Sequence, residues 1–458
     1  MKKELPIKKN EEYIVEIIDQ GYSGEGIAKI KTIPIFIPGA IKGEKAKIKI
    51  LKVTSSYAFG KVIELIEESE NRQIKDCITY PRCGGCNLRH IKYEKTLEIK
   101  KDIVQNLVDK TLKNNIKVNE TVGMENPFYY RNKAQYPVGV DKEGNPVFGV
   151  YAERTHEIIK MEECFIQTKI SKEIAEYIIE FMKENNIQAY DENTLQGTIR
   201  HIVIKVGMKT DEVMCILVTN DIKINNEKIL VEKLKAKFPN IKTIVKNVNS
   251  KNTNVILGKE NIVLYGDGYI KDKLGDYTFK ISPLSFYQIN PIQTEKLYNK
   301  AIELAGFTGN EVLFDLYCGI GTIGIFASKY VKEVYGIEIV EEAVQAAKEN
   351  AKINNVENAE FYSGDVEKTL NTLLYEKNIL PDVVIVDPPR KGLDENTIQN
   401  LKKIKSKKIV YISCNPATLI RDLAKLEEDY EIKEINPFDL FPFTNHVENI
   451  AVMNIIKK

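Results

Sequence analysis

Short apolar runs separated by glycine and proline characterise the first 68 residues of the chain. The pattern predicts five strands, at 13–18, 26–30, 35–37, 45–53 and 58–66. Regularly spaced short strands of this kind favour a small β-barrel. The lysines of this region could make one side of the barrel basic, as in an oligonucleotide-binding barrel, although ordinary lysines on a solvated edge would give the same pattern. They are Lys42, Lys45, Lys47, Lys49 and Lys52.

The rest of the chain divides into two further patterns. A helical stretch at 93–114 and strand-like runs at 200–206 and 212–218 give a mixed middle region. From about residue 285, apolar strands alternate with helical segments, the strands being predicted at 312–316, 333–337, 359–362, 383–386 and 408–412. This alternation indicates a parallel sheet with ligand sites at the carboxyl ends of its strands. The predicted fold class is multidomain α+β and α/β, divided into 1–68, 69–284 and 285–458.

The composition agrees with several folded domains and indicates where in the cell the protein is expected. With 458 residues, 43% of them hydrophobic and 29% charged, and with no long apolar run, a soluble globular protein is expected. The N-terminal residues lack the apolar stretch of a secretory signal, so we expect a cytoplasmic location and no membrane contact. Seven cysteines in such a protein indicate metal binding or nucleophilic catalysis rather than disulfides. The net charge of +1 neither requires nor excludes nucleic acid.

A glycine-rich turn follows the strand predicted at 312–316. Its sequence, Tyr-Cys-Gly-Ile-Gly-Thr-Ile-Gly, also matches a dinucleotide-binding fingerprint and is weak evidence by itself. Acidic residues then end the next three strands: Glu338 suits the ribose hydroxyls of a nucleoside, Asp365 suits an adenine amino group, and Asp387 begins Asp-Pro-Pro-Arg. Two prolines stiffen that last turn, which a nicotinamide enzyme does not need. The set favours S-adenosylmethionine as the ligand.

Cys414 follows the fifth strand of the alternating pattern, in Ser-Cys-Asn-Pro, and should emerge at the same sheet edge as Asp387. Uracil C5 is a poor nucleophile, and addition of a thiolate to C6 activates it by generating an enolate. A base must then remove the C5 proton so that the thiolate can leave. His446 and Glu448 are the candidates near the C-terminus, and we prefer Glu448. Taken singly, Cys414 could equally be a buried thiol and Glu448 a surface carboxylate.

Four motifs in this order, Asp-Leu-Tyr-Cys-Gly-Ile-Gly, Asp-Pro-Pro-Arg, Ser-Cys-Asn-Pro and His-Val-Glu, closely resemble those of the RNA uracil-5-methyltransferases, in particular the bacterial 23S ribosomal RNA branch. The resemblance implies that Cys414 forms the covalent adduct and that Glu448 is the base. It implies an N-terminal TRAM-type barrel, a central domain and a Rossmann-like methyltransferase domain, and it allows the segment 95–126 to pack on the last of these. The predicted donor contacts are Gln288, Tyr317, Glu338, Asp387, Asp365 and Thr322, the last standing where some members carry Asn.

Three cysteines, Cys77, Cys83 and Cys86, lie close together in the sequence, and a fourth, Cys164, follows well downstream. Four thiolates fit either tetrahedral zinc or an iron–sulfur cluster, and spacing alone leaves the metal open. The resemblance favours a [4Fe-4S] cluster, because the iron–sulfur members of the family carry this asymmetric run. Its expected role is structural or RNA-positioning, since methyl transfer moves no electron. The remaining Cys215 and Cys318 are predicted to be buried thiols.

RNA contact is predicted at 128–136, where aromatic and basic residues alternate, and at 197–201. A strand with ordinary aromatic residues is the alternative for the first segment. The target uridine must leave any base stack to reach Cys414, so single-stranded or loop RNA is expected. The barrel and the four cysteines favour 23S ribosomal RNA over transfer RNA, and a monomer is expected. The alternatives are a cytosine-C5 or amine methyltransferase, and an RNA-binding iron–sulfur protein whose methyltransferase domain is inactive.

Overall fold

Alternating apolar side chains build the N-terminal sheet in the computed structural model, which describes residues 7–73, 76–221 and 223–456. Its strands are β1 (Glu12–Glu16), β2 (Asp19–Gln20), β3 (Gly26–Ile30), β4 (Ile33–Ile37), β5 (Lys45–Val53) and β6 (Ala58–Glu67). They lie in the order β1-β5-β6-β4-β3-β2. Along β5, Ala46, Ile48 and Ile50 are fully buried in one apolar cluster with Ile35 of β4. The five predicted strands are present, and the two-residue β2 is additional.

Lys45, Lys47 and Lys49 of β5 occupy the alternate positions, which face away from this core, and Lys52 follows a register shift in the strand. The Nζ atom of Lys45 lies 3.4 Å from Oε1 of Glu67, and that of Lys47 lies 2.9 Å from Oε2 of Glu12. The Nζ atom of Lys42, in the preceding turn, lies 3.7 Å from Oδ1 of Asp19. Carboxylates on neighbouring strands therefore balance much of the charge of the predicted basic side.

A segment without helices or long strands, residues 76–91, follows the first sheet and is called the cysteine loop below. It leads into helix α1 and the central part of the chain. The elements there are α1 (Tyr93–Thr111), β7 (Lys133–Val140), β8 (Pro146–Tyr151), β9 (Ile158–Lys160), α2 (Lys169–Glu184), β10 (Ile199–Val206), β11 (Val213–Thr219), α3 (Glu227–Lys237), β12 (Ile241–Val248), β13 (Glu260–Tyr265), β14 (Ile270–Leu274) and β15 (Tyr277–Ile281).

Seven of these strands form a mixed sheet in the order β13-β12-β11-β10-β7-β8-β9, while β14 and β15 form a hairpin. Every residue of β10 and β11 is buried, because both faces of the sheet are covered. Helices α2 and α3 share an apolar cluster with one face. Ile270 and Ile281 of the hairpin pack with Val203 and Ile216 on the other.

Strand–helix alternation governs the C-terminal part. Its elements are α4 (Pro291–Ala305), β16 (Val312–Leu316), α5 (Thr322–Ala327), a 3₁₀ turn (Ser328–Tyr330), β17 (Glu333–Glu338), α6 (Glu341–Ile353), β18 (Ala359–Ser363), α7 (Val366–Asn371), a π turn (Thr372–Glu376), β19 (Val383–Val386), α8 (Glu395–Ile404), β20 (Lys408–Ser413), α9 (Pro416–Leu426), β21 (Tyr430–Phe438) and β22 (Glu448–Ile455).

The C-terminal sheet has the order β18-β17-β16-β19-β20-β22-β21. Its first five strands are parallel, and β22 runs antiparallel to both β20 and β21. The carboxyl ends of β16, β17, β19 and β20 therefore meet at one edge, and β22 enters the sheet from that same edge. This is where the predicted site residues converge.

Residues from earlier in the chain pack onto this C-terminal sheet. Helix α1 packs against α9, and Val118 forms an isolated bridge with Ile435 of β21. The hairpin also contributes, since the backbone amides of Thr278 and Lys280 donate to side chains of α6 at 2.8 and 2.9 Å. The segment 95–126 and the hairpin thus both contact the C-terminal part of the molecule.

Within the described ranges, no helix combines the length and the apolar character needed to cross a membrane.

Candidate active site

The turn between β16 and α5 adopts a backbone conformation that brings its amides to the sheet edge. Tyr317, Gly319 and Gly321 all have positive φ, at 66°, 56° and 79°. A Cβ on Gly321 would lie 2.9 Å from the ring of Phe361, so only glycine fits there. The turn is fixed to β17, because the amide of Tyr317 donates to the carbonyl of Ile337 at 2.9 Å.

Glu338, at the end of β17, is hydrogen-bonded to the glycine-rich turn. Its Oε2 accepts from the amide of Gly319 at 3.2 Å, and its Oε1 accepts from the amide of Val340 at 2.9 Å. Asp365, after β18, is exposed and caps α7 by accepting from the amides of Glu367 and Lys368. Both predicted carboxylates therefore lie at the expected strand ends.

The other predicted donor contacts surround the same turn. Gln288 lies in the loop before α4, and its carbonyl accepts from the side-chain amide of Asn132 at 2.8 Å. The hydroxyl of Tyr317 lies 3.4 Å from that of Thr397 on α8, and the hydroxyl of Thr322 lies 3.1 Å from that of Tyr298. These contacts fix side chains that surround the carboxyl end of β16.

A buried carboxyl that sequence reasoning missed lies beneath this turn. Asp315 of β16 is fully buried, and its Oδ2 accepts from the amide of Gly324 at 2.8 Å. Its other oxygen has no hydrogen-bond partner among the described residues. Burial raises the pKa of Asp315 to about 8, and the carboxylates of Asp387 and Glu338 add to the rise. The available signal was a single aspartate inside an otherwise apolar strand.

Asp387 follows β19, and its backbone amide donates to the carbonyl of Leu316 at 3.3 Å. Burial raises its pKa. The carboxyl of Glu448, at the start of β22, is almost inaccessible at 3% exposure, and burial followed by repulsion from Asp387 raises its pKa well above the ordinary value. Two acidic groups from different strands are thus held close together in a poorly solvated place.

Cys414 directly follows β20, and Glu448 is the first residue of β22. The last pair of the antiparallel ladder joins Ser413 of β20 to Asn449 of β22, so Cys414 and Glu448 each lie one residue from this pair, at the same end of the ladder. Burial raises the pKa of the Cys414 thiol to about 11, and the carboxylates of Glu448 and Asp387 contribute. The structure therefore brings together the predicted nucleophile, the predicted base and the acid of Asp-Pro-Pro-Arg.

The charge of Arg390 opposes the effect of burial on two groups of the site, because it lowers the pKa of Cys414 and of Glu448. The carbonyl of Arg390 accepts from the side-chain amide of Asn415 at 3.0 Å, which ties the Asp-Pro-Pro-Arg turn to the loop after Cys414. Sequence reasoning quoted this arginine without assigning it a role.

His446, the second candidate base, is poorly suited to that role. Burial lowers its pKa to about 4, with Arg390, Lys100 and Arg131 adding to the effect. A histidine with so low a pKa is a weak base at neutral pH. Its ring instead makes an edge contact with Phe441, at 5.7 Å between centroids.

The N-terminal sheet also reaches the site, which the sequence did not predict. Tyr22, in the turn between β2 and β3, has its pKa raised by burial and then by Cys414, while Arg390 lowers it. A residue of the first sheet therefore lies within electrostatic range of the nucleophile.

The four predicted metal ligands line one cavity of about 500 Å³ between the cysteine loop and the central sheet. All four thiols, Cys77, Cys83, Cys86 and Cys164, are free and partly buried. Burial raises the pKa of Cys86 to about 12, and Cys164 and Cys83 add to the rise. Within the described part of the chain, no group of three or more His, Cys, Asp or Glu side chains is arranged to hold a metal ion.

The aromatic and basic segment 128–136 does not present a row of stacking rings. Tyr130 and Tyr136 are buried, at 1% and 0% exposure, and Tyr136 packs on Phe148 with centroids 5.1 Å apart. The alternation of β7 directs Lys133 the other way, towards the cysteine cavity, together with Arg131. The stacking interpretation is therefore wrong for these two tyrosines. In the second predicted segment, Arg200 and His201 are also buried.

Cys215 and Cys318, which belong to neither group, are buried at 0% and 4% exposure. The prediction that both are packing thiols is confirmed.

Comparison with known families identifies two regions. The model described as tRNA (Uracil-5-)-methyltransferase matches residues 92–455, and the TRAM domain model matches residues 6–63. An uncharacterized RNA methyltransferase of Clostridium acetobutylicum is 46% identical, with 100% of both chains covered. Another from Staphylococcus aureus strain MSSA476 is 47% identical over 98% of this chain and 99% of its own.

Among solved structures, the Pyrococcus abyssi tRNA (uracil-54, C5)-methyltransferase in complex with S-adenosyl-L-homocysteine is similar over nearly the whole length. The TM-score is 0.76 at 29% identity, covering 96% of this chain and 99% of that one. The shared architecture includes the N-terminal TRAM domain and the mixed α/β methyltransferase fold.

Proposed function

The chain belongs to the RNA uracil-5-methyltransferase family, and on that premise we propose that Cys414 bonds covalently to C6 of the target uracil and that Glu448 later removes the C5 proton. The observation that supports the proposal is the last pair of the β20–β22 ladder, Ser413 with Asn449, because Cys414 and Glu448 are the residues directly beside this pair. The carboxylates of Glu448 and Asp387 also raise the pKa of the Cys414 thiol. An amine methyltransferase needs neither a thiol nor a second acid at this place.

The first half of the proposed reaction forms two bonds. The sulfur of Cys414 adds to C6, and the electrons of the C5–C6 double bond move into the uracil as an enolate. C5 then takes the methyl group of S-adenosylmethionine, and S-adenosyl-L-homocysteine leaves. Arg390 favours the ionised thiol, because its charge lowers the pKa of Cys414 against the effect of burial.

The second half restores the uracil ring. Glu448 accepts the C5 proton, the electrons of the C5–H bond re-form the C5–C6 double bond, and the C6–sulfur bond breaks to release the thiolate. The burial that raises the pKa of Glu448 makes its carboxylate a stronger base than an exposed one. Product is 5-methyluridine in RNA.

The donor is proposed to lie above the glycine-rich turn. Glu338 would bind its ribose, Asp365 its adenine amino group, and Asp387 would face its charged end, with Gln288, Tyr317 and Thr322 around it. Asp387 and Glu338 raise the pKa of Asp315, which indicates that negative charge is concentrated here. A positively charged sulfonium is attracted to such a place.

The cysteine cavity is proposed to hold a [4Fe-4S] cluster, with zinc as the alternative metal. Cys77, Cys83, Cys86 and Cys164 fit the group in type and number, since they are four free thiols lining one cavity, although the arrangement of these described residues is not that of a metal site. The group would supply structural support only, and every step above is performed by residues outside this cavity. Measurement of iron, sulfide and zinc in purified protein distinguishes the two metals.

We propose 23S ribosomal RNA, in a single-stranded or loop region, as the substrate of a monomeric, three-part enzyme divided near residues 68 and 284. Transfer RNA is the second candidate, and one observation favours it: the full-length similarity to the Pyrococcus tRNA enzyme, which includes the N-terminal region. Mapping 5-methyluridine in ribosomal and transfer RNA from cells with and without the gene decides between them.

A direct test of the proposed mechanism uses RNA that carries 5-fluorouridine. Fluorine cannot leave C5 as a cation, so the adduct persists and can be seen on a denaturing gel. We expect a donor-dependent adduct with the natural protein and with Cys215→Ala, and none with Cys414→Ala. An adduct that survives in Cys414→Ala contradicts the assignment of the nucleophile.

A further inference from the structure

The loop that delivers Glu448 to the site, residues 439–447, contains a strained residue. Phe443 is buried, at 1% exposure, and has a φ of 64°. Side chains other than glycine rarely adopt this left-handed conformation, and it persists where surrounding contacts enforce it. Phe443 lies five residues before Glu448, so the path of the loop through Phe443 determines where β22 begins.

The enforcing contacts come from the cysteine loop. The backbone amides of Asn87 and Leu88 both donate to the carbonyl of Phe443, at 3.0 and 2.9 Å. Two donors on one carbonyl oxygen satisfy both of its lone pairs and fix the direction of the peptide. The two amides directly follow Cys86 in the chain.

Arg89 completes the contact from the same loop. Its guanidinium carbon lies 4.4 Å from the centroid of the Phe443 ring, and 5.2 and 4.8 Å from those of Phe128 and Phe165. Its orientation is fixed by Asp76, which accepts from Nε at 2.9 Å and from Nη2 at 2.5 Å. At 2% exposure this cation is desolvated, which strengthens its attraction to the ring faces.

We propose that residues Asn87, Leu88 and Arg89 of the cysteine loop hold Phe443, and that this contact positions Glu448 for proton removal. Arg89 and Phe443 are positioning residues, since neither belongs to the reacting groups. The inference rests on the proposed function, because it assigns the contact to the step that Glu448 performs. The contact links the segment that directly follows Cys86 to the loop before Glu448.

A displaced base affects only one half of the reaction. Adduct formation and methyl transfer depend on Cys414 and the donor, whereas release depends on Glu448. Loss of the contact should therefore leave RNA joined to the protein, with a methyl group and a hydrogen both on C5 and the C6–sulfur bond intact. Misplacement by about 1 Å slows a positioned step roughly 100-fold.

The test compares Arg89→Leu and Phe443→Leu with Arg82→Leu. Arg82 is a matched control, because it lies in the same loop but makes an exposed ion pair with Glu157. Adduct formation is measured with 5-fluorouridine RNA, and turnover with ordinary RNA and labelled donor. We expect near-normal adduct formation in both test variants, turnover reduced roughly 10- to 100-fold, and methylated adduct accumulating on ordinary RNA. Arg82→Leu should behave as the natural protein.

Two results would overturn the inference: a parallel loss of adduct formation and turnover in a folded Phe443→Leu, or unchanged turnover in that variant. Folding is checked by thermal melting, and if Arg89→Leu does not fold, Phe443→Leu alone decides. Absence of any adduct with the natural protein contradicts the proposed function itself. If the natural protein forms the adduct and only the variants behave differently from expectation, the positioning role of the contact is contradicted and the proposed function is not.

Discussion

The two cysteine-bearing regions of this molecule are fixed in different ways. Cys414 directly follows a hydrogen-bonded ladder, and the last pair of that ladder, Ser413 with Asn449, fixes the backbone beside both Cys414 and Glu448. The four thiols of the cysteine cavity lie in irregular segments, where isolated contacts such as the Cys83–Ala152 bridge set their positions. A site on strands keeps its geometry when one side chain is removed, while a site in loops depends on every contact.

The contact at Phe443 joins the two regions, because one end of it belongs to the cysteine loop and the other to the loop that begins β22. The comparison therefore predicts different kinds of failure. Substitutions beside the ladder, such as at Glu448, should lower turnover and leave the fold intact. Substitutions in the cysteine loop, such as at Cys86, should lower the stability of the protein and reduce turnover only indirectly.

The largest expected effect is that of Glu448→Gln. Removing the base should lower turnover roughly 10²- to 10⁴-fold, while Cys414 still forms its adduct, so that methylated adduct accumulates on ordinary RNA. Glu431→Gln, an exposed change at the far end of β21, is the matched control. Gel analysis measures adduct formation, and single-turnover kinetics measure release of the methylated RNA. Normal turnover in Glu448→Gln would contradict the role of Glu448 as the base.

The pH dependence of adduct formation tests the electrostatics of the ladder site. Burial raises the pKa of Cys414 to about 11, so the thiol is mostly protonated at neutral pH and ionises as pH rises. The rate with 5-fluorouridine RNA should therefore increase by up to about tenfold per pH unit between about pH 6.5 and 9. The donor is kept at saturating concentration at every pH, and a rate that is flat or falls with pH contradicts the account.

The smallest effect on chemistry is expected for Cys86→Ser. Loss of one thiol should abolish metal retention and lower the melting temperature, because metal binding and folding are coupled. Turnover should fall severalfold, which corresponds to an increase of about 1 kcal/mol in the activation free energy. Adduct formation should be less affected than release. Cys215→Ala, a buried thiol outside the cavity, should retain the metal. If Cys86→Ser keeps both its metal and its stability, the cavity does not bind metal through this residue.

The positions of the strand ends were predictable, because in a parallel sheet an apolar run forms a buried strand and the polar residues after it lie at the carboxyl edge. Asp387 and Cys414 come from consecutive strands, and their proximity follows from topology alone. Asp315 was missed, since a buried acid within a strand reads as an ordinary core position. Arg390 acts through space on Cys414, and Cys414 acts through space on Tyr22. No spacing along the chain encodes these interactions.

Errors arose where sequence reasoning ignored the period of a strand. The ring of Tyr136 belongs to the core because of the way β7 packs, and Tyr130, which precedes β7, is buried beside Phe443. The Phe443 contact was beyond prediction for another reason: its partners are separated by more than 350 positions in the chain, and one of them is a backbone carbonyl.

The central claim is that one of seven cysteines attacks the uracil, and peptide mapping of the trapped complex tests it most directly. The natural protein is incubated with donor and 5-fluorouridine RNA, digested with protease and nuclease, and analysed by mass spectrometry. The account predicts a single modified peptide, in which the methylated fluorouracil nucleotide is attached to Cys414. Attachment to any other cysteine, or methylation without any attached nucleotide, would contradict it.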